Sequence, residues 1–340
     1  MVILVTGAGG YIGTTLVRRL LDAGHRVIGL DRYFFGQERL GEDVLANPRF
    51  ELRVADIRNV TPEQLRGVDA VCDLAALSND PSGDLDPELT EAINHFGRVN
   101  VASAARKAGV KRYVLASSCS VYGQGDTARL DESSPVHPIT TYARANLGAE
   151  RDVLPMNGPD FTVTVLRQAT VFGMSRRMRF DLVINIMTLN AVEKGKLFIT
   201  GGGRQWRPLV HVSDTARAFE RILEASPSDV GGEVFNVGHT NLQVISAAYT
   251  VREVIPFPID VQVVPDDPDK RNYNVSFEKM SKVLDFRAEI TPDQGVREIY
   301  EGLKNGTLSP EPWTSTVNWY RRLLEAKALV DRVILNGKIL

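Results

Sequence analysis

The start of the chain constrains its fold more than any other segment. Residues 2–5 form a short apolar run typical of a buried strand, and three glycines follow at intervals of three residues: Gly7, Gly10 and Gly13. Apolar residues then recur with helical spacing from Ile12 to Leu20, and Gly24 is a plausible stop. Glycines in such a loop allow a tight turn and a close approach of the backbone to a pyrophosphate, whose charge the helix N-terminus favours. The segment therefore predicts a strand–loop–helix unit that binds a dinucleotide.

An acidic residue after the next strand indicates which dinucleotide is bound. Residues 26–30 form a second apolar run, and it ends at Asp31, 18 residues after Gly13. A carboxylate at this place can accept hydrogen bonds from the adenosine ribose and would repel a 2′-phosphate. We therefore predict NAD as the cofactor, with NADP kept as an alternative because Arg32 is adjacent.

Strand-like and helical patterns alternate through the first half of the chain. Further strands are predicted at residues 50–54, 70–74, 112–116 and 162–166, and a helix is predicted over residues 94–108. Residues 235–237 read as a strand that returns to the same sheet. This alternation predicts an α/β fold, a Rossmann-type doubly wound parallel sheet covered by helices on both faces.

The pattern loosens after about residue 173, where a glycine triplet at 201–203 and a Pro-Asp-rich stretch at 265–269 occur. We expect a smaller mixed α/β substrate lobe here. The predicted division is an NAD-binding Rossmann domain at 1–172 plus about 210–238, the substrate lobe at about 173–209 and 239–310, and a C-terminal helical tail at 311–340.

Composition excludes several classes of function. The 40 Lys and Arg residues against 42 Asp and Glu give a net charge of −2, so a nucleic-acid partner is not expected. No apolar run reaches the length of a membrane span, and no secretory signal is recognised, so we expect no membrane partner. Two cysteines favour a reducing cytoplasm, and five histidines without ligand spacing predict no metal site.

A second motif is Ser117-Ser118-Cys119-Ser120-Val121-Tyr122-Gly123, with Tyr142 further along. Together with the glycine loop, it resembles the extended short-chain dehydrogenases/reductases, and specifically the NAD-dependent epimerase/dehydratase family acting on nucleotide sugars. The resemblance covers roughly residues 1–305. It also rests on matches elsewhere in the chain: Asp56-Ile57, Leu74-Ala75-Ala76, Asn94 and the run from Arg207 to Asp214.

The resemblance implies roles for particular residues. Tyr142 would be the acid/base at a sugar hydroxyl, and Ser118 would share its proton network. Cofactor contacts are implied at Gly7, Gly10, Tyr11, Ile12, Gly13, Asp31, Asp56, Ile57, Leu74, Ala75, Ala76, Asn94, Ser117, Tyr142 and Asn146. Substrate contacts are expected at Ser78, Ser118, Cys119, Ser120, Thr170, Arg207 and Arg271, with the two arginines clamping a diphosphate.

The sequence departs from the family at residue 146. A phenol needs a nearby cation to act as a base at neutral pH, and the family places a lysine four residues after the tyrosine. Here that residue is Asn146, which can hydrogen-bond to a ribose but brings no charge. Three interpretations stay open: a replacement introduced to inactivate the enzyme, a natural enzyme whose tyrosine is tuned only by the oxidised nicotinamide, or a chain that has lost catalysis. If Tyr142 lacks a cation, Asn146→Lys should raise turnover at least about tenfold.

The predicted function is that of an NAD-dependent nucleotide-sugar epimerase that oxidises a hydroxyl transiently and reduces it again. Reduction of a nucleotide keto sugar uses the same residues and is the alternative. Dehydration is disfavoured because Cys119 and Ser120 occur where family dehydratases carry acids. A silent NAD or nucleotide-sugar binding protein is the alternative of another class, and a homodimer is expected from the family resemblance.

Overall fold

The computed structural model of the chain describes residues 1–264, 271–335 and 337, without the side chains of residues 125–128. The Pro-Asp-rich stretch predicted at 265–269 lies outside the described residues. So do residue 336 and residues 338–340 of the predicted C-terminal tail.

The strands follow one another along the chain as β1 (Val2–Thr6), β2 (Arg26–Asp31), β3 (Phe50–Val54), β4 (Ala70–Asp73), β5 (Arg112–Ser118), β6 (Gln124–Leu130), β7 (Thr162–Gln168), β8 (Thr170–Phe172), β9 (Lys196–Thr200), β10 (Trp206–His211), β11 (Glu233–Val237), β12 (Thr240–Gln243), β13 (Asp260–Val264) and β14 (Asn272–Val275). Seven of them form a parallel sheet in the order β11-β7-β5-β4-β1-β2-β3. The order reverses between β1 and β4, which confirms the doubly wound sheet. The predicted return strand is β11, which pairs with β7.

The helices are α1 (Tyr11–Asp22), α2 (Glu42–Leu45), α3 (Asp80–Gly83), α4 (Pro87–Glu91), α5 (Arg98–Ala108), α6 (Thr141–Val153), α7 (Val183–Lys194), α8 (Val212–Glu224), α9 (Pro227–Val230), α10 (Val244–Val254), α11 (Glu278–Leu284), α12 (Pro292–Lys304) and α13 (Thr316–Val333). A π-helical segment, Ala92–Gly97, joins α4 to α5, so the helix predicted to begin at residue 94 begins at Pro87. None of the helices in the described ranges combines the length and apolar character needed to cross a membrane.

Alternate side chains of β1 point to opposite faces of the sheet, as the pleat requires. Ile3 and Val5 pack in the core with α1 and α8, whereas Leu4 packs in the core with α5. Both faces of this strand are therefore covered, which explains why its sequence is continuously apolar rather than alternating.

The remaining strands in the described part of the chain form three smaller sheets. They are β12-β10-β8, β13-β9 and β14-β6. Helices α7, α10 and α12 surround an apolar cluster of their own, which includes Phe172, Leu209 and Val251. The last helix returns to the main sheet, where the Trp319 indole Nε1 donates to the Phe34 carbonyl at 2.7 Å.

Candidate active site

Steric requirements explain the glycines of the first loop. Gly7 has φ of +68°, a left-handed conformation that other residues rarely adopt. A Cβ atom at Gly13 would lie 2.0 Å from the carbonyl oxygen of Gly7, so a side chain there would clash. Gly10 precedes α1 without a side-chain cap, which leaves the first N–H groups of the helix available to an anion.

Asp31 ends β2 beside this loop. Its carboxylate accepts hydrogen bonds from the main-chain N–H of Gly9 at 2.9 Å and of Tyr33 at 2.8 Å. Burial raises the pKa of Asp31. The carboxylate is therefore fixed in orientation at the place where the sequence predicted a contact with ribose hydroxyls.

Arg32, the residue that keeps NADP open, forms an ion pair with Asp56. Its guanidinium lies 2.9 Å from the Asp56 carboxylate, which also pairs with Arg58 at 2.6 Å. The hydrogen bonds from Arg58, with Arg32 in a supporting role, hold the pKa of Asp56 well below its usual range. The ion pair with Asp56 thus partly neutralises the charge of Arg32.

Ser118 and Tyr142 meet at the carboxyl end of β5. Ser118 is the last residue of that strand, and Tyr142 is the second residue of α6, whose N-cap is Thr140. Both side chains line the same cleft, where the Ser118 hydroxyl acts on the Tyr142 phenol. Burial raises the pKa of Tyr142, while the positive charge of Arg98 and the hydroxyl of Ser118 act in the opposite direction. The fold therefore brings together the two residues for which the motif implied a shared proton network.

Most of the predicted cofactor residues line one cleft between the main sheet and the smaller lobe. They are Gly7, Gly10, Tyr11, Ile12, Gly13, Asp31, Asp56, Ile57, Leu74, Ala75, Ala76, Ser117 and Tyr142. Among the predicted substrate residues, Ser78, Ser118, Ser120, Thr170 and Arg271 line the same cleft. The tertiary structure thus brings residues from most of the chain into one site.

Two of the predicted cofactor residues are buried and do not line the cleft. The Asn94 amide accepts from the Leu77 N–H at 2.8 Å and donates to the Leu77 carbonyl at 3.0 Å, so it holds the loop after β4. Asn146 is fully buried and donates to the Tyr142 carbonyl at 2.8 Å. Neither side chain reaches the cleft surface.

Two of the predicted substrate residues also do not line the cleft. The Cys119 thiol donates to the Arg167 carbonyl at 3.3 Å, and burial raises its pKa. The Arg207 guanidinium donates to the carbonyls of Trp206 at 2.9 Å and Arg271 at 2.5 Å. Of the predicted arginine pair, Arg271 is the one that lines the cleft.

The sequence interpretation missed several cleft residues: Arg98, Gln168, Arg177, Arg179, Tyr273 and Tyr320. The sequence could have indicated two of them, because Arg177 and Arg179 lie two positions apart and shortly after the strand that ends at Phe172. Tyr320 gave no such signal, since α13 is far from the glycine loop in sequence.

Arg177 is the most unusual of these residues. Its side chain is 1% exposed, its Nε has no hydrogen-bond partner among the described residues, and its Nη2 donates to Thr316 of α13 at 2.9 Å. The guanidinium lies 3.6 Å from the ring centre of Phe35. Burial, reinforced by Arg179, lowers the pKa of Arg177 to about 10. A buried cation with an unused donor beside Asp31 is suited to an anionic ligand.

The cleft as a whole favours anions. Its described lining carries six arginines against three aspartates: Arg32, Arg58, Arg98, Arg177, Arg179 and Arg271 against Asp31, Asp56 and Asp80. Three buried polar atoms on this lining also lack hydrogen-bond partners within the described residues: Ser120 Oγ, Gln168 Oε1 and Arg177 Nε. Because such atoms are costly to leave unpaired, they are expected to bind a polar ligand.

The glycine loop, the doubly wound sheet and the Ser118–Tyr142 pair together define an extended short-chain dehydrogenase/reductase. The chain belongs to the NAD dependent epimerase/dehydratase family, whose model matches residues 3–238.

Relatives in this family carry out several reactions. A UDP-glucose 4-epimerase of Mycolicibacterium smegmatis is 30% identical, with 89% of this chain and 98% of that protein aligned. A UDP-glucuronic acid decarboxylase of Arabidopsis thaliana is 26% identical, with 91% and 71% aligned. The solved structure of the dTDP-glucose 4,6-dehydratase DesIV from Streptomyces venezuelae, with NAD bound, is 26% identical and superposes with a TM-score of 0.79, covering 95% of this chain and 97% of that one. The family is therefore shown, while the individual reaction has to be argued from the site.

Proposed function

We propose that this protein is an NAD-dependent nucleotide-sugar epimerase. The observation that carries the proposal is that Ser118 and Tyr142 line the same cleft as the glycine loop and Asp31. A proton-transfer pair and a dinucleotide site at one sheet edge are what a hydroxyl oxidation requires.

The residues present fit NAD. The exposed N–H groups at the start of α1 suit its pyrophosphate, and the fixed carboxylate of Asp31 suits an adenosine ribose. When bound, NAD supplies the acceptor and later the donor of a hydride.

The C-terminal helix contributes to this cofactor site. Tyr320 of α13 lines the cleft and packs against Phe35, with ring centres 5.6 Å apart. Thr316 at the start of the same helix accepts a hydrogen bond from Arg177. We infer that α13 closes the cofactor end of the cleft.

Proton transfer falls to Tyr142. Its phenolate oxygen takes the proton of a sugar hydroxyl as that carbon is oxidised, and it returns the proton when the carbon is reduced. Ser118 donates a hydrogen bond that stabilises the phenolate form. An epimer results when the keto sugar presents its other face before reduction.

The site favours epimerisation over dehydration. Elimination of water needs a further acid and base near the sugar, and the two residues after Ser118 carry no carboxyl group. Asp80 is the acid of the described lining that acts electrostatically on Tyr142, and its carboxylate is bound by Arg271 and Thr140. Reduction of a keto sugar needs the same residues as epimerisation and is the second candidate.

The cleft also carries arginines that suit a diphosphate group. Arg271 of the smaller lobe lines it, and Arg179 lies near, with its guanidinium bound to the Asp181 carboxylate at 3.0 and 3.2 Å and to the Ser78 carbonyl at 3.0 Å. Planar guanidinium groups suit the oxygen atoms of a diphosphate. We propose that the lobe predicted at about 173–209 and 239–310 binds the nucleotide sugar, leaving 1–172 and about 210–238 for the cofactor.

The test is to incubate the purified protein with NAD and a panel of UDP- and dTDP-linked sugars and uronic acids. Products are identified by NMR, and absorbance at 340 nm reports NADH. An epimer without net NADH formation supports the proposal, and Tyr142→Phe should abolish it. In a parallel incubation with NADH and a nucleotide keto sugar, net consumption of NADH would assign a reductase. In the first incubation, loss of water would assign a dehydratase, and ligand binding without any product a binding protein.

The homodimer expected from the resemblance and the cytoplasmic location stay predictions. Sedimentation velocity on the purified chain measures the first, and fractionation of the source cells measures the second.

A further inference from the structure

The side chain at position 146 lies in a fully buried polar contact. Asn146 Nδ2 donates to the Tyr142 carbonyl one helical turn earlier, at 2.8 Å. Its Oδ1 accepts a hydrogen bond from the Arg98 Nη1 at 2.7 Å. The amide therefore links α6 to a cation on α5.

Arg98 is itself almost completely buried, with 2% of its side chain exposed. It is the first residue of α5, and its Nε donates to the Ala75 carbonyl at 3.1 Å in the loop after β4. Its side chain lines the cleft together with Tyr142 and Ser118. The guanidinium thus joins three elements at the bottom of the proposed cofactor site.

Charged groups act on Tyr142 from three elements: Arg98 on α5, Asp80 on α3 and Arg179 before α7. Asp80 is paired with Arg271, and Arg179 is paired with Asp181. Arg98, in contrast, forms no ion pair with any carboxylate of the described residues. Of Arg98 and Arg179, Arg98 is therefore the cation whose charge is less neutralised by a direct partner.

The positive charge of Arg98 also acts on a second buried group, the carboxyl of Asp73. Its two carboxylate oxygens accept hydrogen bonds from the hydroxyls of Thr6 and Tyr113. Burial raises the pKa of Asp73. The Asp73 carboxylate therefore faces Thr6 of β1 and Tyr113 of β5. The Arg98 guanidinium is bonded instead to Asn146 and Ala75, and it also lines the cleft.

We propose that Arg98 supplies the positive charge that the family places at position 146, and that Asn146 positions it as a neutral partner. A guanidinium remains charged at any accessible pH, so it can stabilise the phenolate of Tyr142. Because its Nη2 has no partner among the described residues, it can also donate to a cofactor hydroxyl. The inference rests on the proposed function, in which Tyr142 transfers the proton.

A charge supplied by Arg98 explains why residue 146 is an asparagine rather than a lysine. A lysine there would bring a second cation against Arg98 in a buried place, where like charges repel strongly. It would lose its proton or destabilise the fold, and it would add little charge for Tyr142. Asn146 instead accepts one hydrogen bond from the arginine and donates one to its own helix. On this account the chain retains its catalytic cation, and the expectation from sequence that Asn146→Lys raises turnover is reversed.

The first experiment measures the pKa of Tyr142 by ultraviolet difference titration of each variant against its Tyr142→Phe counterpart. Arg98→Gln keeps hydrogen-bonding groups and removes the charge, so the pKa of Tyr142 should rise by about one unit or more, equivalent to a tenfold smaller phenolate fraction. Arg98→Lys should keep the pKa close to that of the unaltered protein. Arg106→Met, an exposed position on α5, is the control and should change nothing.

This titration needs no substrate, so it separates the inference from the proposed function. If no sugar of the panel is turned over but the pKa moves as expected, the epimerase proposal fails while the charge assignment stands. An unchanged pKa in folded Arg98→Gln would overturn the assignment and leave Arg98 as a structural link.

The second experiment tests whether Arg98 takes the place of a lysine at position 146. The lysine is introduced both with Arg98 in place and in the Arg98→Gln variant. Asn146→Lys alone should lower the thermal midpoint and leave turnover equal or reduced. The same change made in Arg98→Gln should raise turnover at least about tenfold over Arg98→Gln alone, with the limb of kcat/KM that follows Tyr142 ionisation moving to lower pH. A tenfold gain from Asn146→Lys with Arg98 in place would show that the cation had been missing, and would refute the inference even if Arg98→Gln failed to fold.

Discussion

Arg207 donates a hydrogen bond to the main-chain carbonyl of Arg271, at 2.5 Å across 64 positions of sequence. The two arginines predicted to clamp a diphosphate together therefore have different positions. Arg271 lines the cleft, and Arg207 holds the backbone that presents it.

This relationship predicts different effects for the two alanine variants. Arg271→Ala should weaken nucleotide-sugar binding by about 1.5–3 kcal/mol, the range for a lost hydrogen bond to a charged group, without changing NAD affinity. Arg207→Ala should lower the free energy of unfolding and weaken sugar binding only as a consequence. Calorimetry and urea unfolding on both variants check this, and an Arg207→Ala protein of unchanged stability with lost sugar affinity would reverse the assignment.

The carboxylate of Asp31 should determine the choice of dinucleotide. Two backbone hydrogen bonds fix its orientation. If Asp31 binds the adenosine ribose as predicted, it repels a 2′-phosphate, so NADP should bind at least about tenfold more weakly than NAD, or ~1.4 kcal/mol. Asp31→Asn should narrow that difference, because it removes the charge and keeps the shape. Asp22→Asn, at the exposed end of α1, is the control. Equal binding of the two cofactors by the unaltered protein would contradict the prediction.

The C-terminal helix should contribute to cofactor affinity. Tyr320→Ala removes a ring that lines the cleft and packs on Phe35, and NAD binding should weaken roughly tenfold. Leu329→Ala on the same helix changes a side chain that is 54% exposed and should leave NAD binding unaltered. Equilibrium fluorescence titration with NAD measures both. Equal effects of the two variants would mean that α13 acts only through general stability.

A buried ion pair supports the strand that carries the proton-transfer serine. Glu150 and Arg167 lie 2.7 Å apart, and the Ser117 hydroxyl donates to the same carboxylate. Glu150→Ala leaves a buried guanidinium without its partner, so the free energy of unfolding should fall by about 3–5 kcal/mol. Glu301→Ala, an exposed position on α12, should cost little. Urea unfolding compares the two, and a loss below about 1 kcal/mol at Glu150 would show that the pair is not a principal support.

Local patterns were sufficient to predict the architecture. The strand at the N-terminus, the glycine loop and the strand that ends at Asp31 lie within the first 31 residues, and the structure places all three as expected. Periodicity also predicted the parallel strands and the return of β11 to the main sheet. These features depend on which side chains a short segment can bury, and a short segment of sequence displays that directly.

The Ser118–Tyr142 pair was predicted from a motif, whereas its electrostatic surroundings were not. Arg98 and Asn146 are 48 positions apart, and α5 and α6 have to pack against each other before their side chains can meet. Sequence showed that a lysine was missing at 146, but it gave no sign that an arginine 48 positions earlier lies beside that position.

What the sequence by itself determined is the fold class and the dinucleotide loop, because each is encoded in neighbouring residues. What only the tertiary structure decided is which charges face the cleft: that Arg98 binds the side chain of Asn146 and lines the cleft with Tyr142, that Arg207 lies behind Arg271, and that Tyr320 of the last helix lines the same cleft. The physical reason is that the effect of a charge depends on its distance to other groups and on burial. Both are set by the packing of segments that are remote in sequence.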